Sequence, residues 1–148
     1  MPTNLPLSAS LLTAVAVQIA CQVFKVVFHS IRERRLALSW LVSAGGMPSA
    51  HSAFVTALAV SVGLWNGFGS ELFAVTCVFS IIIAYDAWRL RGAVAHQARV
   101  LAALAAKHPE VDAGAINVHL GHTLPEIAAG LVAGGGLAAL AWLALAQG

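Results

Sequence analysis

The sequence predicts an all-α fold, an integral membrane helical bundle of about four transmembrane helices with a re-entrant or interfacial segment and an interfacial amphipathic helix. One domain covers residues 1–148. Three observations carry the prediction. Hydrophobic residues make up 59% of the chain and charged residues 9%, with a mean hydropathy of +0.85, too little charge to cover a soluble domain of this size. Uncharged stretches run over Leu5–Phe24, Leu36–Ser70 apart from His51, Leu72–Tyr85 and Ile127–Gly148. All eight Lys and Arg residues lie in two places, Lys25 to Arg35 and Arg89 to Lys107, so alternate loops are basic.

A spanning helix needs about 20 mostly apolar residues. That length places the first span near 7–28, the second near 50–67, the third near 70–89 and the fourth near 124–146. Leu36–Gly46 is uncharged but too short to span, and it precedes a Gly-Gly-Met-Pro break, so it is expected to dip into the membrane or lie along its surface. Arg91–Lys107 is Ala-rich with spaced cations and reads as a separate amphipathic helix at the interface. The N-terminus lacks a basic region and a small-residue cleavage site, so the first apolar stretch is expected to be retained. Cys21 and Cys77 fall within spans without metal-ligand spacing and read as small buried hydrophobes. With both basic loops on the cytoplasmic side, the two termini fall on the opposite side.

This topology gathers the costly polar residues at one membrane face. Lys25, His29 and Arg32 follow span 1, Ser49 and His51 open span 2, Asp86, Arg89 and Arg91 close span 3, and His119, His122 and Glu126 open span 4. Ionisable groups at the ends of bundled spans are a functional-site hypothesis. Lys25 and Arg32 are seven apart and share a helix face suited to gripping one anion. Gly45-Gly46-Met47-Pro48-Ser49-Ala50-His51-Ser52 starts a helix, where free backbone N–H groups and the macrodipole favour an anion; Pro48 suits the first turn and Ser49 the cap. Arg34 and Arg35 read as topology-setting cations, and Asp86 with Arg89 as a surface pair. His96, Arg99 and His108 read as solvated.

Thr123-Leu124-Pro125-Glu126 makes a T-x-x-E capping box. The box accounts for Glu126 without chemistry but leaves His122 just outside it, with Glu126 also able to bond a histidine nitrogen and fix its tautomer. His119, His122 and Glu126 invite a zinc reading, which Gly121 and Pro125 disfavour by breaking a shared helical face, so no metal is assigned. Gly130 and Gly134 form a G-x-x-x-G helix-packing face, which leaves room for a homodimer.

Taken together, these residues resemble the divergent membrane branch of the type 2 phosphatidic acid phosphatase superfamily, related to vanadium-dependent haloperoxidases. That superfamily carries K-x6-R-P, P-S-G-H and S-R-x5-H-x3-D. Lys25 and Arg32 match the first, with Glu33 in place of proline. Pro48-Ser49-Ala50-His51 matches the second with Ala for Gly, and His122 with Glu126 matches the end of the third with Glu for Asp. Gly130 falls where the family often has glycine. Ala115 and Ile116 replace the Ser-Arg pair, and Tyr85-Asp86-Ala87 followed by Arg91 resembles the branch's own signature, which favours Arg91 over Arg89 as the missing arginine.

The resemblance implies metal-independent hydrolysis of a phosphomonoester with no cofactor. His122 would be the nucleophile, His51 the acid and base, and Glu126 the residue orienting His122, while Lys25, Arg32, Ser49 and Arg91 would bind the phosphoryl group. A site at headgroup level implies a lipid phosphate as substrate, of the phosphatidic acid, phosphatidylglycerol phosphate or polyprenyl phosphate class, in a bacterial-type inner membrane with the site on the cytoplasmic face. A nucleic-acid partner is not expected. The alternative is a non-catalytic protein that binds or transports an anionic lipid through the same cations, and a second is a structural membrane subunit.

Overall fold

The computed structural model describes residues 8–41, 46–108 and 123–147, with nothing drawn from the side chain of Arg91. It holds four α-helices, α1 (Ala9–Glu33), α2 (Ala50–Asn66), α3 (Glu71–Ala105) and α4 (Leu124–Ala146), and a short 3-10 turn at Leu38–Leu41. Each helix starts at a residue able to cap it. Ser8, Ser49 and Ser70 accept from Leu11, Ser52 and Phe73 N–H groups, and Thr123 precedes α4. Glu71 adds a negative charge to the first turn of α3, where the helix dipole favours it. Helix α1 stops at Arg34, whose left-handed backbone (φ 52°) turns the chain back.

The architecture agrees with a helical membrane bundle, with two adjustments. Helices α1, α3 and α4 are long and apolar enough to cross a membrane. Helix α2, with 17 residues, is about 25 Å long and sits at the short end of spanning length. Residues 91–105 are not a separate interfacial helix but continue the third span as one 35-residue helix, about 52 Å long. Nothing between Ala87 and Ala105 breaks it: the stretch holds no proline, and its one glycine, Gly92, is tolerated inside a helix. Since a bilayer core is about 30 Å thick, the C-terminal part of α3 projects beyond it.

The packing is inverted relative to a soluble protein. The core is Ala14, Val17, Cys21, Ala50, Ala53, Ala57 and Ala138, whereas Ile19, Phe79, Ile81, Val132 and Leu140 point outward and are more than half exposed. Lipid satisfies large apolar side chains as well as a core does, so helices associate through small residues that let their backbones approach. Helix α2 is the hub, packed on α1, α3 and most extensively α4, while α1 and α4 meet over few residues. The Ser80 hydroxyl donates to the Val55 carbonyl at 3.0 Å and ties α3 to α2.

The G-x-x-x-G face of α4 is used inside the chain. A Cβ on Gly130 would stand 2.5 Å from the Ser49 carbonyl oxygen, and one on Gly134 would collide with the Ala53 carbonyl and lie 2.8 Å from its Cα. The face expected to leave room for a homodimer is therefore covered by α2.

The stretch after α1 folds back over the end of that helix. The Ala37 N–H donates to the Ser30 hydroxyl at 3.0 Å, and the Trp40 indole N–H donates to Glu33 Oε1 at 3.3 Å. Gly46 closes over it with φ +89°, where a Cβ would stand 3.0 Å from the Trp40 ring and 3.4 Å from Lys25 Cδ. Gly46→Ala should lower stability by more than about 1 kcal/mol, because both the backbone conformation and the space favour glycine. Thermal unfolding in detergent checks this against Gly69→Ala, a site with open space that should change little.

Candidate functional site

Between α1, the Trp40 segment, α3 and the first half of α4 lies a cavity of about 1450 Å³. One part of its lining is apolar, with Phe24 and Phe28 from α1 and Ala129, Ala133 and Leu137 from α4. The other is polar and carries His29, Arg32, Glu33, Arg35, Arg99, Thr123 and Glu126. The polar part gathers where α1 ends and α4 begins. An apolar cleft continuous with a cationic end is shaped for an amphiphile.

The α1 side is held by a network around Glu33. Its carboxylate pairs with Arg35 at 2.7 Å, accepts from the Trp40 indole and lies 3.8 Å from His29 Nδ1. The His29 and Trp40 rings stack with centroids 3.6 Å apart and 8° between planes. Glu33, which takes the place of the family proline, thus positions the ring of His29 and neutralises Arg35.

Lys25 is 1% exposed and is the largest fully buried side chain among the described residues. It lies in the wall behind Gly46, where burial opposes its charge and Cys21 and Glu126 offset part of that cost. Burying an ammonium is tolerated only with such compensation. Glu126 in turn lines the cavity, and its Oε2 accepts from the Thr123 N–H at 2.9 Å, the contact expected of a capping box.

The Pro48–His51 and Thr123–Glu126 segments, 75 residues apart in the chain from Ser49 to Leu124, are stitched together. The Ser49 N–H donates to the Glu126 carbonyl at 3.0 Å, and Gly130 has no side chain to hold the Ser49 carbonyl away. Ser49 itself is fully buried, and its hydroxyl accepts from the Ser52 N–H at 3.4 Å and the Ser52 hydroxyl at 3.1 Å. It is the N-cap of α2, which puts Pro48 before the cap rather than in the first helical turn.

Of the residues the sequence nominates, Arg32 and Glu126 stand on the cavity wall, and Lys25 is packed behind it. Ser49 joins the same corner through its backbone. His51, half-buried in the first turn of α2, is not on the wall. Arg91 lies in α3 four residues after Ala87 and four before Ala95, both buried, so its backbone position falls on the inward face of that helix; its side chain lies outside the described residues. His119 and His122 also lie outside the described residues. Arg89 stands over the Trp88 ring at 5.5 Å and is not on the wall.

Arg99 is exposed, as the sequence leads one to expect, and it also lines the cavity, which the sequence reading did not anticipate. The signal was its spacing: Gly92, Ala95 and Arg99 recur at i, i+3 and i+7, a small-residue stripe ending in a cation, and all three line the cavity. Trp40 was the other omission, a lone Trp in a short apolar segment.

A family model described as the Divergent PAP2 family matches residues 7–137. The chain is 46% identical over 99 residues to the uncharacterized membrane protein YuiD of Bacillus subtilis (strain 168), a match covering 67% of this chain and 60% of that protein. No solved structure matches the chain.

Proposed function

The chain belongs to the divergent PAP2 family, and from that premise we propose that it is a membrane lipid phosphatase which hydrolyses a phosphomonoester through a phosphohistidine. The observation that carries this reading is the cavity, apolar between Phe24 and Leu137 and cationic at Arg32, at the corner where the Ser49 and Glu126 segments meet. A lipid phosphate fits such a cleft, with its tail between α1 and α4 and its headgroup at the polar end. Phosphatidic acid, phosphatidylglycerol phosphate and polyprenyl phosphates share that chemistry. The basic loops support a site on the cytoplasmic face of a bacterial-type inner membrane.

In this reading a nitrogen of His122 attacks phosphorus, the bond from phosphorus to the alcohol oxygen breaks, and His51 gives its proton to that oxygen. Water then attacks the phosphohistidine, its proton passes to His51, and inorganic phosphate leaves. Arg32 and Arg91 offset the charge on the phosphoryl oxygens, Lys25 adds positive potential from inside the wall, and Glu126 holds the histidine tautomer. Phosphoryl transfer depends mainly on such positioning and charge stabilisation. Ser49 would donate its hydroxyl hydrogen to a phosphoryl oxygen, since its own hydroxyl oxygen only accepts from Ser52, while its N–H holds the cap against the Glu126 carbonyl.

The test is phosphate release by the purified full-length protein from vesicles containing each of the three lipid classes, with and without chelator and with vanadate. Release that persists with chelator and is blocked by vanadate is the expected result. Lipid binding with no release from any class would replace the phosphatase with a non-catalytic anionic-lipid binder or transporter, a reading favoured by the position of His51 off the cavity wall.

A further inference from the structure

We propose that Arg99, on the part of α3 that projects beyond the bilayer core, binds the lipid headgroup together with Arg32 and makes the cavity prefer a phosphomonoester over a phosphodiester lipid. The proposal rests on the cavity being a lipid-phosphate site and names the residue that reads the headgroup charge.

Charge pairing divides the cations of the polar wall. Arg35 is bound by Glu33 at 2.7 Å, and Glu33 also faces His29 and Trp40. Glu126 is engaged by the Thr123 N–H. That leaves Arg32 and Arg99 as the two guanidinium groups of the wall with no ion-pair partner among the described residues. They reach the cavity from α1 and α3, whose backbones do not meet among the described residues.

The reason Arg99 reaches the cavity is the uninterrupted length of α3. As a separate surface helix, residues 91–105 would be free to turn this exposed side chain away from the cavity. As a continuation of α3 their rotation is fixed by the span below, with Ala87, Ala95 and Ala98 buried. Gly92 and Ala95 then leave the space in front of Arg99 open. A phosphomonoester carries about −1.5 to −2 charge near neutral pH. A phosphodiester headgroup carries one negative charge and a bulky second substituent. Two unpaired arginines, each able to donate a fork of hydrogen bonds to phosphate oxygens, match the former.

Binding is measured with the full-length protein in phosphatidylcholine nanodiscs, with phosphatidic acid or phosphatidylglycerol added. The wild type is expected to bind phosphatidic acid more tightly. Arg99→Gln should weaken that binding about tenfold while changing phosphatidylglycerol little, and Arg99→Lys should restore part of it. Lys107→Gln, which removes a cation just past the end of α3 and off the cavity wall, should leave both unchanged. Equal losses for the two lipids, an equal loss in Lys107→Gln, or no loss in Arg99→Gln would overturn the proposal. Displacement of phosphatidic acid by equimolar inorganic phosphate would overturn it in favour of the free ion. The readout is binding, so a protein that binds in this pattern but releases no phosphate keeps this inference and loses the phosphatase reading. A protein that hydrolyses normally with Arg99→Gln binding intact does the reverse.

Discussion

Gly134→Ala is expected to loosen the bundle at its hub. The added methyl group would collide with the Ala53 carbonyl and stand within 2.9 Å of the Ala53 carbonyl carbon, both of them backbone atoms of α2 that no rotamer change can move. Helix α4 must shift away from α2 along its most extensive contact, an overpacking cost of about 1–3 kcal/mol. Thermal unfolding of the purified protein in detergent measures this. Gly136→Ala is the internal comparison, two residues on in the same helix, where an added Cβ meets nothing within 4 Å and alanine is the better helix former. That variant should be neutral or slightly stabilising. Equal melting of the two variants would mean that α4 does not pack on α2 through this face.

His51→Ala is expected to reduce phosphate release from a lipid phosphomonoester by about 10²–10⁴-fold, the typical contribution of a positioned acid or base, and His122→Ala, which removes the nucleophile, by at least as much. The loss should appear in kcat with helical content and detergent-phase elution unchanged. His122 immediately precedes the cap of α4, and His51 is two residues past the cap of α2. The hydrogen bond from the Ser49 N–H to the Glu126 carbonyl holds the two caps together. Near-normal hydrolysis by either variant removes that histidine from the mechanism. A loss of folded protein in both would instead favour a structural role for the pair.

Much of this molecule was legible in its sequence because the governing forces act locally. The apolar runs gave the membrane bundle through the length a bilayer requires. The helix starts at Ser49 and Thr123 could be read because an N-cap and a capping box are made within four residues. Glu126 shows the same locality, since its contact with the Thr123 N–H is the one its spacing implies. The break drawn between the third span and the Arg91–Lys107 stretch went the other way. A change in polarity at Arg89 reads as the end of a membrane span, but helix propensity is indifferent to it, and the Ala-rich segment simply continues the helix into water.

The sequence by itself determined that this is a helical membrane protein, where its helices begin, and which family its motifs resemble, since hydropathy, capping and motif spacing are short-range properties of the chain. Only the tertiary structure decided which cations share one cavity and what covers the glycine face of α4. Arg32, Arg35, Arg89 and Arg99 look alike in sequence. The rotation of α1 and α3 about their axes, set by Ala, Gly and Ser contacts with α2, turns Arg32 and Arg99 to the cavity with no ion partner among the described residues, while Arg35 and Arg89 are taken up by their chain neighbours Glu33 and Trp88. That rotation depends on close approach between residues distant in the chain, and so it emerges only when the helices are packed.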